Sequence, residues 1–135
     1  MRGYPRYCAA ALLALPYAYK SLAHMDEVAS GEIGQQIEAE IVDKAGIRPL
    51  TYFARGPRNL SANREITKPE DLNGFKLRVP NVPIFVSAWQ AIGANPTPMA
   101  FSEVFVALRT GVLDGQENPY TNILAGKFQE VQKYL

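Results

Sequence analysis

Phe75-Lys76-Leu77-Arg78-Val79-Pro80 is a short apolar run with a proline at its end and an arginine inside it. It reads as a buried strand over 75–79 that Pro80 closes, because proline cannot donate to a sheet ladder. An arginine in such a strand calls for an anion, since an unpaired buried charge is very costly. Just upstream, Thr67-Lys68-Pro69-Glu70 has the form of a capping box, with Thr67 as N-cap and Gly74 ending a short helix. Just downstream, Asn81 sits where an N-cap belongs. Val82, Phe85, Val86, Trp89 and Ile92 then form the apolar stripe of a helix ending at Gly93.

The alternation extends both ways. Asn95-Pro96-Thr97-Pro98-Met99 reads as an extended connector, because each proline holds its predecessor out of the helical region. Ser102 can cap a helix with Val104, Phe105 and Leu108 inward, stopped at Gly111. Asp114-Gly115-Gln116-Glu117-Asn118-Pro119 combines turn formers with amides and carboxylates and reads as a loop built for polar contacts. A further helix spans about 120–128. Toward the N-terminus, Leu12 to Tyr19 reads as a buried strand or turn. Residues 22–45 show helical periodicity through Ile33, Ile37 and Ile41, divided by Gly31 and Gly34 and stopped by Gly46. Ile47 to Ala54, rich in β-branched and aromatic residues, reads as the next strand. Strands alternating with helices make the fold class α/β.

Composition narrows the function. A chain of 135 residues, 47% hydrophobic and 20% charged, has the balance of a soluble globular protein. With 14 basic against 13 acidic residues, no global field favours nucleic acid, and no basic tract offers a groove for phosphates. One cysteine, Cys8, excludes an intrachain disulfide and a multi-thiolate metal site. One histidine, His24, leaves no zinc-protease motif, and we read it as a helix-surface residue. No cofactor motif is present. Arg2, Arg6 and the run Cys8 to Leu15 mimic a signal peptide. Pro16 breaks that run, however, and it falls far short of the roughly 18 apolar residues that span a bilayer. We read it as a core segment, with residues 1–11 unplaced. Asn59-Leu60-Ser61 fits a glycosylation triplet that carries little weight without a secretory context.

Two arginines are candidates to hold a carboxylate, because the planar guanidinium offers two parallel hydrogen bonds. Arg78 ends a strand just before a helix, and Arg58 lies in the turn-like stretch 55–59. The plain alternatives are a salt bridge from Arg78 to Glu103, Asp114 or Glu117, and a solvated loop charge at Arg58. Asn118, held extended by Pro119, projects its amide from a constrained position.

The order and spacing of several stretches resemble the extracytoplasmic solute-binding proteins of tripartite ATP-independent periplasmic (TRAP) transporters. The matching stretches are Leu15-Pro16-Tyr17, Gly56-Pro57-Arg58, Pro69 to Pro80, Asn95 to Met99, Glu103 to Leu108, Asp114 to Pro119 and Lys127 to Leu135. The resemblance implies that Arg78 pairs with a ligand carboxylate, that Arg58 and Asn118 add contacts to it, and that Asn81 and Phe101 line the pocket. Implied ligands are organic acids or acidic sugars: sialic acid, uronates, aldonates or dicarboxylates. The implied fold is the two-lobed periplasmic binding protein fold, type II-like, incomplete here at both ends. Residues 1–55 would form part of the first α/β lobe and 56–135 most of the second. The implied partners are the ligand and the TRAP membrane subunits, and the implied location is the periplasm. The chain itself would not span the membrane and would not be an enzyme. Two rivals stand beside this reading: a hydrolase or lyase using Glu103, Asp114 and Glu117, and a ligand-sensing module of the same fold feeding a signalling partner.

Overall fold

The computed structural model describes residues 9–135. The arginines at 2 and 6 and the lone Cys8 therefore lie outside the described residues. The chain divides into two compact units, 1–54 and 55–135.

The first unit is helical. A 3-10 helix at Ala9–Ala14 precedes α1 (Leu22–Ser30) and α2 (Glu32–Ala45). Ser21 caps α1, its hydroxyl accepting from the His24 amide at 3.1 Å. The helices divide at Gly31, whereas Gly34 lies inside α2. Its role is contact: a Cβ there would fall 1.8 Å from the Ala29 carbonyl oxygen, so only glycine lets the two helices approach. Gly46, left-handed at φ 66°, ends α2 as expected. Of the isoleucine stripe, Ile37 is buried and Ile33 exposed.

Two expectations need correction in this unit. Of the buried strand or turn expected at Leu12 to Tyr19, the turn is found, but not the burial or the strand: the segment runs from the 3-10 helix into a turn at 16–17 with Tyr17 fully exposed. Ile47 to Ala54 is not a strand either. Its composition favours extended backbone, but a strand exists only through a ladder partner, and no described residue pairs with it. Ile47, Leu50 and Phe53 are exposed.

The second unit is a four-stranded sheet with helices. Its elements are β1 (Asn59–Ala62), β2 (Lys76–Val79), α3 (Pro83–Ala91), β3 (Asn95–Pro98), α4 (Phe101–Arg109), β4 (Gly115–Asn118) and α5 (Tyr120–Ala125). The strand order is β1-β4-β2-β3. β2 is parallel to both β3 and β4, and β1 is antiparallel to β4.

The largest correction concerns Asp114 to Pro119. Residues 115–118 form β4, a buried inner strand and not a loop. Gly115 makes this fit possible, because a Cβ would meet the Ser61 carbonyl at 2.3 Å and the Phe75 ring at 2.7 Å. β1 has no counterpart in the sequence reading. The connector at Asn95 to Met99 is itself an edge strand. Asn95 and Met99 donate their amides toward Phe75 and Val79 of the β2 segment, so Pro96 and Pro98 fall in the alternate, outward positions where no N–H is needed.

Helix starts shift by one or two residues. Lys68, not Thr67, is the cap residue of the 3-10 helix Pro69–Leu72. Asp71, not Glu70, reaches back to accept from the amides of Thr67 and Lys68. α3 is capped at Val82 with Pro83 in its first turn, so Asn81 is not the N-cap. α4 is capped at Ala100 and contains Ser102.

Residue alternation gives the sheet two unlike faces. Leu60, Ala62, Leu77 and Val79 join Phe75, Leu72 and Phe85 in one apolar cluster, with Trp89 of α3 packed against it. The register places Ser61, Gln116 and Arg78 together on the opposite face. The second cluster, Val104, Ala107, Leu108, Leu113, Ile123 and Phe128, is built between α4, α5 and the following 3-10 turn, and contains no strand residue.

Candidate functional site

The three parallel strands end together at Val79, Pro98 and Asn118, and β1 begins at that same end opposite Asn118. The chain leaves β2 toward β3 on one side, while β4 lies on the other side of β2. The C-terminal ends of β2 and β4 therefore flank the switch point of the sheet, where ligands of open α/β sheets bind. All five residues singled out from the sequence sit at this end. Arg78 is on β2 and Asn118 on β4, Arg58 immediately precedes β1, Asn81 follows β2, and Phe101 opens α4 after β3.

Arg78 is 4% exposed. Its Nε and Nη2 both donate to the Met99 carbonyl, at 2.9 and 2.6 Å. Among the described residues no carboxylate lies within 4.0 Å of it. The alternative that Arg78 pairs with Glu103, Asp114 or Glu117 therefore fails. Burial draws its pKa below the ordinary arginine value, the nearby Glu117 charge opposes that, and Arg58 adds to it. An arginine stays cationic despite such a shift. The result is a buried positive charge with one edge on a neutral carbonyl.

Arg58 is not a free loop charge. Its Nε donates to Glu117 Oε2 in a very short contact. Its Nη2 donates to Glu117 Oε1 at 3.0 Å, to the Glu117 carbonyl at 2.8 Å and to Asn118 Oδ1 at 3.1 Å. Its guanidinium carbon lies 5.1 Å from the centre of the Phe85 ring, within cation–π range. Glu117 is 2% exposed. Burial pushes its pKa up from the ordinary glutamate value, and the Arg58 hydrogen bond and charge hold it back.

Asn118 is 3% exposed and spends both ends of its amide on protein. Oδ1 accepts from Arg58, and Nδ2 donates to Gln116 Oε1 at 2.6 Å. Asn81 is exposed, and Phe101, 42% exposed, lies 5.5 Å ring to ring from Phe128. The structure thus joins Arg58, Glu117 and Asn118 by direct bonds and sets Arg78 in their electrostatic field. Asn81 and Phe101 share only the end of the sheet.

Sequence reasoning missed Glu117 as the partner of Arg58, and Gln116 altogether. The signal for both is the spacing within Gly115-Gln116-Glu117-Asn118. Read as a strand, it puts Gln116 and Asn118 on one face and Glu117 on the other.

The pattern of the family described as "Bacterial extracellular solute-binding protein, family 7" matches residues 5–135. A solute-binding protein of Roseobacter denitrificans is 66% identical over 126 residues, covering 93% of this chain and 39% of that protein. The sialic acid-binding periplasmic protein SiaP of Vibrio cholerae is 42% identical over 121 residues, 90% of this chain and 38% of its own length. Among solved structures, a TRAP periplasmic solute-binding protein of R. denitrificans with bound L-galactonate superimposes with a TM-score of 0.89 at 66% identity. It covers 92% of this chain and 41% of that one. A second protein from that organism, with bound β-D-glucuronate, gives a TM-score of 0.88 at 39% identity. The chain therefore spans about 40% of the length of the curated relatives it matches.

Proposed function

Since the chain belongs to the bacterial extracellular solute-binding proteins of family 7, we propose that it serves TRAP-type uptake. In this reading the protein of which these residues are part captures a small carboxylate in the periplasm and passes it unchanged to membrane subunits. The favoured ligands are sugar acids of the galactonate and glucuronate kind, the molecules bound to the two R. denitrificans structures. Residues 56–135 supply most of the second lobe, and residues up to 55 part of the first. No helix among the described residues is long and apolar enough to cross a membrane, which suits a protein that works beside membrane subunits.

One observation carries the reading. Arg78 is a nearly fully buried cation with no carboxylate of its own at the switch point of the sheet. A ligand carboxylate on the remaining guanidinium edge would neutralise it, and charge-assisted bonds of this kind contribute about 1.5–3 kcal/mol each. The neighbouring charges agree with a single anion. Arg58 is already matched by Glu117, which leaves the positive charge of Arg78 uncompensated. Asn118 and Asn81 are assigned hydrogen bonds to the ligand, and Phe101 an apolar wall. Binding needs no acid–base step, so the reading assigns Glu103, Asp114 and Glu117 no chemistry.

The test is calorimetric titration with L-galactonate and D-glucuronate, using D-galactose as a neutral control. The acids bind and the neutral sugar does not. Arg78→Lys keeps the charge, loses the fork, and weakens binding about 10- to 100-fold. Unchanged affinity in Arg78→Lys, or equal binding of the neutral sugar, overturns the proposal.

A further inference from the structure

The polar face of the sheet carries a chain of hydrogen bonds whose direction is set from one end. Arg58 can only donate, so the Asn118 atom facing it must be Oδ1. Asn118 Nδ2 is thereby turned toward Gln116, whose Oε1 accepts it at 2.6 Å. Gln116 Nε2 is then turned toward Ser61 and donates to its Oγ at 2.8 Å. The Ser61 hydroxyl donates in turn to Gln132 Oε1 at 3.3 Å, and Gln132 Nε2 donates to the Val131 carbonyl at 3.2 Å. Reversing either amide alone would set donor against donor or acceptor against acceptor in a buried site. The middle members are 0% (Gln116) and 2% (Ser61) exposed.

We propose that Gln116 is a positioning residue for ligand binding: Arg58 sets which end of the Asn118 amide is oxygen, and Gln116 anchors the Nδ2 end and so fixes where its free N–H points. This rests on the reading of Asn118 as a ligand-facing group. Asn118 Nδ2 has two hydrogens, and Gln116 takes one. The other is left to donate to a carboxylate, in a direction an unanchored amide would not keep. Gln116 itself is enclosed and touches no ligand; it acts through Asn118. Oriented donors are better binders because the cost of ordering them is met before the ligand arrives.

The test uses the whole protein, Gln116→Met and Gln116→Glu, with two readouts. The first is the ¹⁵N-resolved side-chain amide pair of Asn118 without ligand. The second is the affinity for L-galactonate. Methionine keeps the shape and removes the acceptor. Glutamate keeps an acceptor facing Asn118, loses the donor to Ser61 and places a carboxyl group on the strand position paired with Arg78, so it reports on the Asn118 amide and not on affinity. The Asn118 amide pair should be sharp and widely split in the parent and in Gln116→Glu, and should move toward the splitting of a free amide or broaden in Gln116→Met. Affinity should fall about tenfold in Gln116→Met. Unchanged Asn118 signals in Gln116→Met overturn the proposal. So does an affinity for L-galactonate in Gln116→Met that stays within about threefold of the parent, as a purely structural glutamine would give. Should Gln116→Met fail to fold, the amide pair in Gln116→Glu decides alone: preserved, it supports the anchor, and broadened, it refutes it. A parent that binds no sugar acid would sink the functional reading, while the Asn118 signals would still decide the anchor.

Discussion

The two faces of the sheet in the second unit are made of the same four strands and held by different physics. On one face Leu77 and Val79, both fully enclosed, lie with Leu60 and Ala62 against α3. Each large side chain there contributes through lost water contact, about 1.5–3 kcal/mol, with little demand on direction. On the other face Ser61, Gln116 and Asn118 are as thoroughly buried, yet each is held by donors and acceptors that must match. Such a network adds little net stability and penalises any alternative arrangement heavily. The apolar face holds the fold together, and the polar face holds atoms in place. The site belongs to the second task.

The sharpest way to break this comparison is Leu77→Ala. It should cost about 2–5 kcal/mol, read from the urea midpoint. A loss comparable to that of Ser61→Ala would show that the faces do not differ in kind. Next comes Arg58→Ala, which strands the Glu117 carboxylate. About 3 kcal/mol is expected, the low end for a broken buried pair because a third of the Arg58 side chain is in water. The double variant with Glu117→Ala should cost less than the two singles added together, and simple additivity in that cycle would mean the pair is not coupled.

A pH series sharpens the same pair. Burial raises the folded pKa of Glu117, so the folded state favours the protonated carboxyl. The stability this group contributes is complete below its unfolded value of 4.5 and is lost as pH rises through the raised folded value. The stability of the parent minus that of Glu117→Gln should therefore shrink as pH rises across that window. A difference that grows instead would mean Arg58 outweighs burial. The smallest effect is expected at Asp71, away from both faces. Its half-buried side chain accepts from the amides of Thr67 and Lys68, and the first of those bonds lowers its pKa. Its contribution is present above 3.8 and lost as pH falls through the lower folded value. Asp71→Asn should lower stability slightly at neutral pH and flatten its fall at the acid end, and a loss at neutral pH exceeding that of Arg58→Ala would reverse the ranking.

Much of this was legible in the residues. Arg78 in an apolar run announced a buried charge, and the stripe from Val82 to Trp89 announced α3. β4 was not legible. Asp114-Gly115 and Asn118-Pro119 carry the chemistry of turns, and nothing in 115–118 is β-branched or aromatic. Those residues form a strand because neighbours on both sides supply a ladder and polar side chains supply partners, neither of which is local information. The failure at Ile47 to Ala54 is the mirror case: suitable composition, no ladder. At the site, residue type and spacing pointed to Arg58 and Asn118, but their mutual bond joins positions 60 apart in sequence, and only the strand register brings them together.

The prolines of β3 have a consequence for how copies of this unit can meet. With Pro96 and Pro98 turned outward, that rim of the sheet offers a neighbour no regular row of N–H groups. The other rim is different. Ala62 bonds Tyr134 on the outer side of β1, which turns the peptide groups of Leu60 outward as well. Among the described residues, therefore, a neighbouring strand would find peptide groups beside Leu60 and a blunted ladder beside Pro96 and Pro98.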